Sequence, residues 1–464
     1  NNMESVNNDL QITFWSGVGT VTGANFLLES RKTKILVDCG LLQGTIDASQ
    51  YNKKPFPYDV KSIDYLFITH AHMDHIGRVC KLVKDGFNGI IYSTKETKDL
   101  ANIMFMDAIK IMNIKEKGLN GEEKEEALYG LNDYNKAMAL WRSIPYHDNT
   151  KINDEFEVVL KDAGHILGSS MFEFLHRGKK IVFTGDSGNS PAPLLKDTEK
   201  ITDADFLIVD SVYGDRNHED KDIRDEKFKK VLIETIEKKG ALVIPAFSIE
   251  RTQVILYELN NLIEERKIPS IPVFLDSPLG LKVTDVYKHS VKEFNKEVKK
   301  EISIGDNIFS FPKLNIIHGR EESENIKKTP NPKIIIAGSG MSSGGRVVGH
   351  EMEFLPDPNS TVLLMGYQAI GTLGRRIQEK PSQVEINGTM VPVKARIEMI
   401  SGYSSHRDSD GLVELVSNTA EKVKKVFVVM GEPKSSAFLV QRLRDELDVD
   451  AIYPERGIIY RLDV

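Results

Sequence analysis

The chain has 464 residues, 40% of them hydrophobic and 28% charged, with a formal net charge of −7. That is the balance of a globular protein with room for two or three domains, and it argues against a general basic coat for nucleic acid while leaving local sites open. Two cysteines, Cys39 and Cys80, are too few for a disulfide framework or a four-cysteine zinc site, so a reducing, cytoplasmic setting is expected. No apolar run reaches the roughly 18 residues of a membrane span, and no membrane partner is expected. The polar start, Asn1 to Leu10, lacks the apolar region of a signal peptide and reads as an unstructured end.

In chain order, the runs Ile35 to Asp38, Tyr65 to Thr69, Lys180 to Thr184 and Phe206 to Val209 read as short strands, each ending at a polar residue. Such runs suit strands buried on both faces, with function at their ends. Glu96 to Arg142, rich in Lys, Glu, Met and Leu, reads as helices over that site. After Asp210 strands and helices alternate. Ala241 to Pro245, Pro272 to Leu275, Lys333 to Ile336 and Thr361 to Met365 read as strands, and Glu250 to Lys267 as an amphipathic helix. That alternation predicts a parallel α/β sheet in a separate, inserted domain. Lys425 to Val429 then reads as a return to the first domain. The expected division is 10–210, 211–395 for the insert and 396–464 for the return.

The densest chemical signal is His70-Ala-His72-Met-Asp74-His75, four metal-capable side chains within six residues. Imidazole and carboxylate suit zinc and similar divalent ions. His70 and His72 cannot share a helix face, but in a loop at a strand end they can converge on one ion while Asp74 and His75 address another. The alternative is a helix start with Asp74 near the cap. His165 lies between Gly164 and Gly168, whose freedom permits a tight turn; taken alone it reads more readily as a turn histidine. Asp186 ends an apolar strand and is placed to bridge two ions, or else is a turn residue. Asp38 is placed to orient a ligand histidine from behind, or to close a turn.

In order and spacing, Asp38, the HxHxDH run, His165 and Asp186 resemble the four motifs of the metallo-β-lactamase superfamily. The resemblance implies an αββα sandwich in which His70, His72 and His165 hold one zinc, Asp74 and His75 a second, and Asp186 bridges them. Further segments are similar to the β-CASP branch: Asp210-Ser211-Val212-Tyr213, Ile244 to Ser248 with Arg251-Thr252-Gln253, Leu275 to Leu279, Gly338 to Arg346, Gly366 to Arg376, and Ser401 to Asp408. The insert is then a β-CASP domain. Ser339, Gly340, Gly344, Arg346, Arg375 and Ser404 are its candidate phosphate-binding residues, the glycine-rich turn through backbone N–H groups and the arginines through forked donors. Each arginine alone reads more readily as a surface ion-pair residue than as a phosphate ligand. His406 is the candidate general acid, with Asp210 expected to pair with it and keep it charged. One position departs from the family: its last motif carries a histidine where this chain has Met430, and a thioether is a poor ligand for zinc, manganese or magnesium. The second zinc site is therefore expected to be weaker, and manganese is an alternative ion.

The resemblance implies a ribonuclease that cuts RNA phosphodiester bonds, as an endonuclease with 5′-exonuclease action also open. Asp74, His406, Asp210 and Asp38 are its catalytic candidates. The chain resembles the compact bacterial members rather than RNase J-type or KH-bearing ones, and a homodimer is compatible with it. Two rivals are a non-catalytic RNA-binding paralogue, favoured by Met430, and a small ester or lactam hydrolase, disfavoured by the large insert.

Overall fold

Runs such as Lys34–Val37 and Phe206–Asp210 have no polar face to offer water and are stable only between two covering layers. The computed structural model, which describes residues 10–118 and 124–462, supplies those layers as two seven-stranded sheets packed face to face. Of the start expected to be unstructured, 1–9 lie outside the described residues, and Leu10 opens the first strand. The first sheet runs Ile459–Leu462, Leu10–Ser16, Asn25–Glu29, Lys34–Val37, Tyr65–Phe67, Ile90–Ser93, Trp141–Ser143. The second runs Ala451–Ile452, Lys425–Val429, Phe206–Asp210, Lys179–Phe183, Ser170–His176, Glu157–Asp162, Thr150–Lys151.

The layer between the sheets is aromatic. Phe14, Phe26, Phe67, Phe172, Phe174, Phe183 and Phe427 are all buried there, and Phe67 meets Phe174 edge to face at 4.9 Å. Each such ring contributes roughly 1.5–3 kcal/mol on burial. Helices Ser409–Ser417 and Pro433–Leu447 cover the outside of the second sheet through Leu412, Leu439 and Leu443. The stretch expected as helices over the site resolves into Lys95–Lys117 and Leu131–Leu140. These pack on the outside of the first sheet instead, because Leu100, Ala101, Met104 and Phe105 form an apolar face that needs that cover. Only the amino-terminal end of the first helix nears the site, where Thr97 Oγ1 donates to Gly168 O at 2.9 Å.

The insert is a six-stranded sheet, parallel throughout, in the order Leu314–Ile316, Val273–Asp276, Lys333–Ala337, Ala241–Pro245, Thr361–Leu364, Arg396–Met399. Its last strand corrects the expected boundary at 395. Arg396–Met399 pairs with Thr361–Leu364 on the edge opposite Ala241–Pro245, so this strand belongs to the sheet of the insert.

In the double sheet every candidate ligand follows the carboxyl end of a strand. Asp38 follows Lys34–Val37, His70 follows Tyr65–Phe67, His165 follows Glu157–Asp162, Asp186 follows Lys179–Phe183, and Asp210 closes its own strand. The loop after Val37 fixes the HxHxDH turn by backbone pairing: Cys39 N donates to His75 O and Leu41 N to Met73 O, both at 2.9 Å. Between them Gly40 passes so close that a β-carbon there would lie 1.6 Å from the Asp74 carbonyl oxygen. Gly40→Ala should therefore cost at least the ~3 kcal/mol upper end typical of overpacking, read as a lowered denaturation midpoint at unchanged slope.

Candidate metal centre

The six metal-ligand candidates converge. His70 and His72 lie in the loop after Tyr65–Phe67, and Asp74 and His75 in the short helix Met73–Ile76 for which His72 is the N-cap. The loop reading and the helix-start reading of this motif thus both hold, one for each half. Gly164 and Gly168 adopt φ of 65° and 79°, making the turn that aims His165 inward. The centre is built on one oxygen. Asp186 Oδ2 lies 3.3 Å from His75 Nε2, 3.5 Å from His70 Nε2, 3.6 Å from His165 Nε2 and 3.9 Å from His406 Nδ1. His72 Nδ1 is 3.2 Å from His165 Nε2, and Asp74 Oδ2 is 3.5 Å from His75 Nε2. Three overlapping groups have ligand atoms close enough to share an ion: His70, His72 and His165; His70, His75 and Asp186; and His165, Asp186 and His406.

The backs of the rings decide which nitrogens face inward. Thr69 Oγ1 gives its proton to Asp38 Oδ2 at 2.7 Å and so accepts from His70 Nδ1 at 3.0 Å. His75 Nδ1 donates to Asp38 Oδ2 at 2.7 Å, and His165 Nδ1 to Ser405 O at 2.8 Å. Asp38 is thus behind the centre, orienting His75, with Thr69 N donating to its other oxygen at 2.8 Å. In the rings of His70 and His165, Nε2 keeps its lone pair. Burial holds the pKa values of His70 and His165 well below the usual imidazole range and lowers that of His72. Neutral imidazoles are what a divalent ion binds. Burial also acts to lower His75, but Asp186, Asp74 and Asp38 outweigh it and raise it well above the ordinary value. Burial acts to raise Asp186, and His75, His70 and His406 overcome it. His70 Nε2, His75 Nε2 and Asp186 Oδ1 are buried without a hydrogen-bond partner, which fits a divalent ion in their midst.

One expectation changes on the far side of the centre. Asp210 does not pair with His406: its Oδ1 accepts from Ser187 Oγ at 2.7 Å and Thr184 Oγ1 at 3.3 Å, hydroxyls its own sheet brings to it. Burial and the Asp186 charge push its pKa up to about 7. The peptide of His406 is held instead by His218, whose Nε2 donates to His406 O at 2.9 Å. His218 stands in the polar run Asn217-His218-Glu219, with no strand pattern or glycine turn to mark it. Met430 is buried in the apolar layer between the sheets, its sulfur packed over Gly17, while a small cavity beside it is lined by Asp38, Thr69 and His75.

The insert supplies the opposite wall. Phe247 lies 6.2 Å from the His72 ring, and the turn at Gly340 packs against Phe247 so tightly that a β-carbon there would strike its ring. Gly344 faces open space. The other phosphate candidates are largely engaged. Arg346 turns away to the buried Asp276, at 2.9 Å, and to Gly319 O, because Asp276 needs a counter-charge. Arg375 donates to Gln368 O at 2.9 Å and lies 3.5 Å from Glu432, which also accepts from Tyr367. Ser339 Oγ donates to Gly344 O, and Ser404 Oγ accepts from His406 N.

Residues 27–202 match the metallo-beta-lactamase superfamily domain, 252–377 the Beta-Casp domain, and 390–454 the Zn-dependent metallo-hydrolase RNA specificity domain. Ribonuclease TTHA0252 of Thermus thermophilus is 32% identical over 91% of this chain and 93% of its own length. An RNase J-like protein of Methanocaldococcus jannaschii is 30% identical over 93% and 95%. The cleavage and polyadenylation specificity factor 73 of Drosophila melanogaster is 28% identical over 94% of this chain and 62% of its own length. A solved structure of a protein of unknown function from Enterococcus faecalis V583 shares the fold, with TM-score 0.52 at 13% identity over 98% and 100% of the two chains.

Because Asp38 fixes the ring of His75 from behind, Asp38→Ala should weaken divalent-ion binding about 10–100-fold. Calorimetric titration of the metal-stripped chain reads this directly, and an unchanged affinity removes the orienting role.

Proposed function

The chain belongs to the β-CASP branch of the metallo-β-lactamase superfamily, and on that premise we propose that it is a metal-dependent ribonuclease hydrolysing phosphodiester bonds in RNA processing or decay. The observation that carries this reading is Asp186 Oδ2, which faces four imidazole nitrogens within 3.9 Å beneath a wall contributed by the insert. The named relatives, a ribonuclease and a cleavage and polyadenylation specificity factor among them, support RNA as the substrate. A small ester or lactam fits less well, because the Phe247 and Gly340 turns stand over His72 and narrow the approach.

Zinc is the proposed ion, from the three-histidine set, with manganese the alternative. His70, His72, His165 and Asp186 would hold one ion, and Asp74, His75 and Asp186 the other. Bound there, the pair would supply an activated water and stabilise charge on the phosphoryl oxygens. Asp38 and Thr69 keep the rings of His75 and His70 in place throughout. His406, with its Nδ1 unpartnered and its ring 4.7 Å from that of His165, is placed to give a proton to the leaving 3′ oxygen. Burial pushes its pKa down to about 4, and a bound phosphate, being anionic, acts in the opposite direction. Asp210, joined to the centre through Ser187 and Thr184, steadies the strand end that carries Asp186. Gly344 is the phosphate candidate that remains open.

His72→Ala and Asp186→Asn should each reduce cleavage of labelled RNA below detection, and near-wild-type cleavage by either pure variant overturns the two-metal reading. Met430 stands beside His75 without a nitrogen to offer, so the second ion keeps one histidine, Asp74 and the shared bridge. Met430→His should raise metal content toward two ions per chain and raise cleavage at limiting metal, with the gain shrinking at saturation. If the wild type already holds two ions equally tightly, another group completes the second site.

A further inference from the structure

The ring of His406, the candidate proton donor, has no hydrogen bond on its inner nitrogen to fix it. Its Nδ1 is buried and unpartnered, and at 3.9 Å from Asp186 Oδ2 it is beyond hydrogen-bond reach. The ring meets those of His165 at 4.7 Å and Tyr213 at 6.3 Å. Its place is therefore set chiefly by the peptide that carries it. That peptide lies in loop 404–407, between the short 3-10 turn Ser401–Tyr403 and helix Ser409–Ser417.

The segment leaving the first domain grips this loop before, at and after His406. Before it, the Glu219 carboxylate accepts from Ser401 Oγ and from Gly402 N, each at 2.7 Å. At it, His218 Nε2 donates to His406 O at 2.9 Å. After it, His218 N donates to Asp408 Oδ2 at 3.2 Å, and Ser409 N to Arg216 O at 3.0 Å. A carbonyl can only accept, so His218 carries its proton on Nε2 in this bond. Its own ring is fixed edge-on to Tyr213, with centroids 4.3 Å apart. Lys227 Nζ donates to the other Glu219 oxygen at 2.8 Å. Burial acts to raise the pKa of Glu219, but Lys227 and Ser401 outweigh it and bring it to about 2, so the carboxylate accepts throughout the neutral range. Two adjacent side chains, unmarked by any strand pattern, thus bracket the whole of 401–408.

We propose that His218 and Glu219 are positioning residues for the proton donor, holding the 401–406 backbone so that the His406 ring stands at the leaving-group side of the centre. The inference rests on the acid role given to His406 above. In that role the oxygen of water bonds to phosphorus, the bond from phosphorus to the 3′ oxygen breaks, and that oxygen takes the proton of His406. A ring displaced by about 1 Å loses the transfer while the ions and the grip on RNA remain. The loss therefore falls on kcat, and only where the leaving group needs a proton.

The test compares two substrates on the metal-loaded full-length chain: a labelled RNA, and the same RNA with sulfur in place of the scissile 3′ oxygen, whose thiolate leaves without a proton. His406→Ala sets the reference. It should cut the oxygen substrate about 100-fold more slowly or worse, and the sulfur substrate within about threefold of wild type. His218→Ala and Glu219→Ala should show the same contrast at roughly 10–100-fold, in kcat with KM unchanged, and with wild-type metal content by elemental analysis. In a His406→Ala background, His218→Ala should cost no further rate, since both act through one group. His218→Gln, whose amide nitrogen reaches the place of Nε2, and Glu219→Gln, whose amide oxygen still accepts, should recover most of the rate. Equal loss on both substrates in the alanine variants, or no loss on either, overturns the proposal, as does His218→Gln as slow as His218→Ala. If His218→Ala does not fold, Glu219→Ala and Glu219→Gln decide by the same contrast. Equal loss on both substrates in His406→Ala itself strikes the acid role, and the positioning role falls with it.

Discussion

A single buried carboxylate oxygen with four imidazoles turned toward it is the constraint the rest of the structure answers to. Asp186 is nearly inaccessible, and a charge taken out of water is tolerated only with close, well-oriented partners. Those partners come from loops far apart in the chain, so their spacing can be kept only if the loops spring from a common rigid edge. The two sheets provide that edge, with the ligand-bearing strands ending side by side. The aromatic layer between the sheets keeps the edges in register. The glycine at position 40 and the backbone pairing around it press the HxHxDH turn against the loop that follows strand Lys34–Val37.

Much of this was open to reading from the sequence because the physics is local. Four ligand-type side chains in six residues have few uses other than holding ions, and short apolar runs ending in Asp or His mark strands with function at their tips. Asp38 could be placed behind the centre for the same reason. What sequence could not settle were choices made between distant segments. Arg346 looks like a phosphate ligand in a glycine-rich setting, yet Asp276, seventy residues earlier, claims its charge. Asp210 and His406 look like an acid–base pair by family position, yet two hydroxyls nearer to Asp210 engage it first. The strand Arg396–Met399 carries alternating polar residues, as suits an edge, and a boundary drawn from apolar runs passes in front of it.

The centre is also not the property of one domain. The segment returning from the insert gives Ser405 O to His165 and sets His406 over the open side, and the insert brings Phe247 close to His72. A shift of the insert would therefore be felt at the ligands and not only at the mouth of the cleft. That coupling explains why so many polar contacts are spent on the junction, such as Tyr287 to Glu250 and Leu167, and His218 to the peptide of His406.

The outgoing and returning crossings between domains run side by side: Tyr213 bridges to Asp408, and Ser409 Oγ donates to Gly214 O at 2.8 Å. On either side of that junction stand strand Phe206–Asp210, helix Ser409–Ser417 and strand Lys425–Val429, the two strands being parallel neighbours in one sheet. With the insert set aside, these three form an ordinary βαβ unit whose first connection has been opened to admit a second domain. Acquisition of such a cassette would have required no host strand to part from its neighbour.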